Sequence, residues 1–186
     1  IASEETEPGV GWYYTDWLTD LSANPSMSTL EIGKAIADSF VDVCAQKCRG
    51  QSTTLSVVDL AELETTLPEA LSDFSQSTVQ LLQGKQFQTV ATARSGAREF
   101  ARSSKIDQVD LVHLSQNLGT KEGKALTEIL LSAVKYNRTS SDMTNAYGLS
   151  IYFPGQKMSM VDRAASTYRQ IGMDETYTRC IRQYAS

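Results

Sequence analysis

The chain has 186 residues, with 17 Lys and Arg against 22 Asp and Glu, a formal net charge of −5. That balance argues against a general nucleic-acid binder, which needs a basic footprint to release counterions from phosphate. The chain is 41% hydrophobic, enough to bury a core; no apolar run approaches the roughly 18 residues of a membrane span, and three cysteines cannot make a disulfide scaffold.

In chain order, Ile1-Ala2-Ser3-Glu4 steps from apolar to polar and reads as the tail of a strand already under way. A domain rarely begins inside its own sheet, so a preceding segment is expected to have been cut away, by proteolysis or by choice of fragment. The acidic stretch 4–9 ends in Pro8-Gly9 and reads as a surface loop. Residues 11–21 read as a helix stopped by Asn24-Pro25. Ser28-Thr29-Leu30-Glu31 is a capping box opening a second helix, whose apolar face runs through Leu30, Ile32, Ile36, Phe40, Val43 and Cys44 to an end near Cys48-Arg49-Gly50. Residues 53–58, short and β-branched, read as a strand. Asp59 caps a long helical stretch to about Gln83, which Pro68 is expected to interrupt or kink.

Residues 86–93 fit strand or helix equally. Residues 107–118 and 123–135 read as two helices. The apolar runs 133–139 and 147–153 flank Ser140-Ser141-Asp142 and read as two strands joined by a polar loop, the second stopped by Pro154-Gly155. Helices over 158–171 and 174–184 close the chain. Strands interleaved with helices mean an α/β fold, with a helical excess in the middle.

Few residues offer chemistry. Cys44 and Cys48, four apart on one helix, lack the spacing of a zinc or redox motif, and two buried small apolar side chains is the simpler reading. Cys180 could pair with one of them in a secreted protein; spacing does not decide it. His113, the only histidine, stands between Val112 and Leu114 on a helix and reads as structural. Arg94, Arg98 and Arg102 recur every four residues and read as a basic stripe on a solvated helix face. Glu4, Glu5 and Glu7 follow a strand end, where α/β sheets meet ligands, and carboxylates there would favour a cationic group; an ordinary polar loop is the plainer account.

Two longer motifs add to this. Residues 1–12, IASEETEPGVGW, and residues 146–154, AYGLSIYFP, resemble the clostripain family of cysteine endopeptidases, and Ser56-Val57-Val58-Asp59-Leu60 and Asp110-Leu111 sit where its members carry similar segments. The resemblance implies the C-terminal part of a caspase-like fold: a mostly parallel sheet flanked by helices, one partial domain over 1–186 with a helix-rich insertion at about 59–135. It implies cleavage after Arg or Lys by a Cys nucleophile and a His base. It also implies a secreted or cell-surface bacterial protein matured into a light and a heavy chain, and calcium as a cofactor of clostripain itself.

The family's nucleophile lies in an Asp-Ala-Cys motif that ends the strand before this opening one, and its His lies further upstream. Neither motif is present, so the resemblance puts no catalytic role on Cys44, Cys48, Cys180 or His113. What it does carry over is a substrate-binding role for Ala2, Ser3, Glu4, Glu5 and Thr6, the strand that walls the specificity pocket and pairs by its edge with substrate backbone. Strand alternation puts Ser3 and Glu5 on one side and Glu4 on the other; the Asp beside the missing Cys is the alternative pocket acid. Trp12, Tyr13, Tyr14 and Trp17 follow, more simply as anchors of the first helix than as the lining of an extended groove.

The expected partners are the N-terminal light chain of the same peptidase and a peptide or protein substrate with a basic residue. The rival reading is a non-catalytic binding or structural module on a peptidase-like scaffold; a third, a self-contained enzyme using Cys44 or Cys180 with His113, needs those groups within about 3 Å.

Overall fold

A computed structural model describes residues 1–9, 11–155 and 158–186; Val10 of the opening motif lies outside the described residues. The first helix, α1 (Tyr14–Ala23), ends where the Asn24 N–H donates to the Asp20 carbonyl (2.9 Å). The second, α2 (Thr29–Lys47), starts on the expected capping box: the Ser28 N–H donates to Glu31 Oε2 (2.7 Å) and the Glu31 N–H to Ser28 Oγ (3.3 Å). Its buried face, Gly33, Ile36, Ala37, Phe40, Val41 and Cys44, keeps the helical period and packs on Leu55 of β1 (Thr54–Val58). Contact is close because Gly33 has no side chain: a Cβ there would stand 2.8 Å from Val57 Cγ2.

Asp59 caps α3 (Leu60–Gln83), accepting the Glu62 N–H (3.1 Å). The expected interruption at Pro68 does not occur; the helix is continuous through it. Pro68 cannot donate to the Glu64 carbonyl, but Leu67 and Leu71 beside it are tied into the main core and hold the helix together. Residues 86–93, undecided by sequence, belong to α4 (Phe87–Gly96), with Val90, Ala93 and Arg94 buried at helical spacing.

The stretch 107–118 is not one helix. It is β3 (Gln108–Asp110) followed directly by α5 (Leu111–Leu118), because the Asp110 carboxylate accepts the His113 N–H (2.6 Å) and starts the helix there. Then come α6 (Lys121–Ala133), β4 (Val134–Thr139), β5 (Ser150–Tyr152), α7 (Met158–Gln170) and α8 (Glu175–Ala185).

Both expected late strands form, but in different sheets. β4 lies antiparallel on β1, Thr54 facing Thr139, and β5 joins β3 and the short β2 (Glu99–Phe100) in the order β2-β3-β5. The fold is therefore mixed α/β, rich in helix, with small sheets. The expectation of a mostly parallel sheet is corrected: every strand pairing among the described residues is antiparallel. A parallel pair needs a crossover of about a dozen residues or more, and only residues 101–107 separate β2 from β3.

The main core lies between the second sheet and α3–α8 and includes Phe74, Val112, Leu126, Leu130, Tyr177 and Ile181. A separate core joins α2 to β1.

Candidate functional site

The opening segment runs along the side of β1 away from β4, with Ala2 facing Ser56 and Thr6 facing Thr53. Four steps on this segment, Ala2 to Thr6, thus span three on β1, Ser56 to Thr53, so one residue is bulged out of register. The bulge is held by Thr54, whose Oγ1 accepts both the Glu4 N–H (2.8 Å) and the Glu5 N–H (2.9 Å), while Ser3 Oγ donates to the Thr54 carbonyl (2.8 Å). Plain alternation of Ser3, Glu4 and Glu5 is lost as a result.

Each opening glutamate is occupied by backbone. Glu4 Oε2 accepts the Gly148 N–H (2.9 Å), Glu5 Oε2 accepts the Ala101 N–H (2.6 Å), and Glu7 Oε2 accepts the Ser52 N–H. The stretch 4–7 is thus a loop, as expected, but one tied down by a backbone amide at each glutamate. Glu4 reaches furthest in. Burial, and then the neighbouring Asp110, push its carboxyl up to about 9, and its Oε1 is buried with no donor.

Asp110 is fully buried; its Oδ1 takes the His113 N–H and its Oδ2 the Tyr147 N–H, both at 2.6 Å. Burial raises its carboxyl, against the pull of these amides and of Glu4. Sequence reading marked Asp110-Leu111 only as a family segment; a cap residue before Leu-Val-His was the available signal. Nothing in the sequence points to Gly148 or Ala101 as partners.

The arginine stripe is corrected. Helix α4 stops at Gly96, with Ala97 extended, so the three arginines share no face. Arg94 is 5% exposed, donating through Nε to the Phe153 carbonyl (2.8 Å) and through Nη2 to Glu99 (3.1 Å) and Asp107 (3.4 Å). Arg98 clamps the loop before β5, donating to the Asp142 (3.0 Å) and Thr144 (2.7 Å) carbonyls. Arg102 is exposed, 3.5 Å from Glu99.

Cys44 is buried as expected, but Cys48, expected to be buried with it, is only half-buried at the end of α2, and His113 is half-buried with a structural hydrogen bond. All three thiols are free. Cys44 and Cys180 are buried, and burial pushes their thiols up to about 11 and about 12, the wrong direction for a nucleophile. His113 Nδ1 accepts the Arg98 N–H (2.9 Å), and burial lowers its basicity. Trp12 stacks obliquely on Phe40, as an anchor, yet α1 buries no residue, and Tyr14 and Leu18 stand exposed. Among the described residues no group of three or more His, Cys, Asp or Glu side chains is placed to hold a metal ion. Among the described residues no helix is long and apolar enough to cross a membrane.

The site is thus a bulged opening segment, carrying an acid that reaches in to the buried Asp110, set against a helix-rich α/β core. The model of the clostripain family matches residues 1–186, and the chain belongs to that family. Neither the curated proteins nor the solved structures contain a match to it.

Proposed function

We propose that this chain is the C-terminal portion of a clostripain-like cysteine endopeptidase that cleaves after Arg or Lys, one partial domain of a caspase-like fold with α3–α6 as its helical insertion. In this reading residues Ala2, Ser3, Glu4, Glu5 and Thr6 form the substrate-binding wall. The Cys and His that attack the scissile carbonyl through a thioester belong to an upstream light chain. The protein is secreted or surface-bound in a bacterium and processed.

The observation that carries the reading is the position of the opening segment: it flanks β1 opposite β4, with no further strand paired to its outer edge among the described residues. An edge strand can take an extended peptide by main-chain hydrogen bonds, and carboxylates beside it suit a basic side chain. The commitment of His113 Nδ1 to a backbone amide and the raised thiols of Cys44 and Cys180 count against a self-contained dyad.

The test is hydrolysis of an Arg-containing peptide by the pure 186-residue chain and by the same chain co-expressed with its upstream segment. No turnover alone, with thiol-sensitive turnover in the pair, is expected. Turnover by the chain alone, abolished by thiol alkylation, overturns the proposal.

A further inference from the structure

Glu4 and Asp110 lie 106 positions apart in the chain, yet their carboxyls accept the consecutive amides of Gly148 (2.9 Å) and Tyr147 (2.6 Å) and stand as hydrogen-bond neighbours. Two carboxyls in contact inside a protein cannot both be ionised at modest cost, because like charges in low dielectric repel strongly. The hydrogen bonds decide which one keeps a proton. Asp110 receives two backbone N–H donors, one on each oxygen, which stabilise its charged form. Glu4 receives one donor, from Gly148, and its other oxygen is buried with none. A proton on that Oε1 turns the orphan into a donor and gives Asp110 a third hydrogen bond.

We propose that Glu4 and Asp110 share one proton, Glu4 as the neutral donor and Asp110 as the carboxylate acceptor, and that the pair is a pH-dependent latch fastening the opening segment to the second sheet. The charged groups around it fit this assignment. Arg98 faces the pair from the turn between α4 and β2, but its guanidinium is committed to the Asp142 and Thr144 carbonyls. His113, on α5, accepts an N–H at Nδ1. From β1 only hydroxyls approach: Thr54 holds the Glu4 amide, and Ser56 Oγ donates to the Gly148 carbonyl (2.8 Å). Among the described residues no Lys or Arg forms an ion pair with Glu4 or Asp110.

A group that holds its proton more tightly folded than unfolded lends stability fully below its unfolded value and loses it as pH rises through the folded one. For Glu4 that window runs from 4.5 to about 9. Alkaline pH therefore leaves two carboxylates together without an ion-paired cation and releases the opening segment. The latch does not depend on the strand contacting substrate. Where the strand is the wall proposed above, the neutral Glu4 is not the counter-charge for a basic side chain.

The decisive experiment measures the full chain and its Glu4→Gln variant. Glutamine keeps the shape of protonated glutamate, accepting from Gly148 and donating to Asp110. Between pH 7 and pH 10 the thermal midpoint of the wild type is expected to fall further than that of E4Q, by about 4 °C or more. In the infrared, the wild type at pH 7 should show the carbonyl stretch of a protonated carboxylic acid, lost at high pH and absent from E4Q. Parallel midpoint profiles, or no such band in the wild type at pH 7, overturn the proposal. The band is read on the wild type alone, so the test survives a poorly folding variant.

Discussion

Replacing Arg94 with methionine removes a buried cation while leaving its methylene packing nearly intact. The guanidinium serves three acceptors: the Phe153 carbonyl at 2.8 Å, Glu99 at 3.1 Å and Asp107 at 3.4 Å. Glu99 and Asp107 side chains are only 19% and 14% exposed, so their charges are poorly solvated once the cation is gone. Breaking a buried pair by deleting one partner costs about 3–5 kcal/mol, and a stranded buried carbonyl about 1–3 kcal/mol; these overlap and do not add. Arg94→Met is therefore expected to destabilise the fold by about 3–5 kcal/mol. Arg102→Ala, at 71% side-chain exposure, should cost less than about 1 kcal/mol. Urea denaturation with a common slope measures both. Adding Glu99→Gln to Arg94→Met should return part of the loss, since a buried amide needs no cation. Equal, small losses for Arg94→Met and Arg102→Ala would restore the solvated stripe and refute the buried cluster.

Two further outcomes follow from close contacts and burial. Gly148→Ala puts a Cβ 2.8 Å from Ser56 Cβ at a φ of +106°. It should lower stability by about 2 kcal/mol or more, seen as a depressed melting temperature, and an unchanged melt would refute the close approach of this loop to β1. Native alkylation followed by peptide mass mapping should label the half-exposed Cys48 first and leave Cys44 and Cys180 protected until unfolding. Labelling of Cys180 in the native state at pH 9 would contradict a thiol held near 12 by burial.

What the sequence made legible was local. The Ser28–Glu31 box and the Asp59 cap are complete within four residues, and both helices begin where those residues place them. What escaped it was set by long-range partners. The arginine periodicity was real, but Arg94 answers to Glu99, Asp107 and Phe153, and those acceptors end the stripe. Asp110 splits one apolar stretch into strand and helix because its carboxylate caps α5 while β5 pairs with the residues before it. Glu4 was singled out as an acid at a strand end, yet its orientation depends on a bulge that Thr54 imposes from fifty positions away. The motifs that marked the family carried more information than composition or period could, since they join segments at both ends of the chain.

Asp110 has one more consequence, for the motions of the native state. It is the common acceptor for the amides of His113 and Tyr147, which are 147 − 113 = 34 positions apart. An opening that frees either amide strips a buried carboxylate of half its backbone donors and so weakens the hold on the other. The two amides are therefore expected to share one opening free energy in hydrogen exchange, as members of a single cooperative unit assembled from distant parts of the chain.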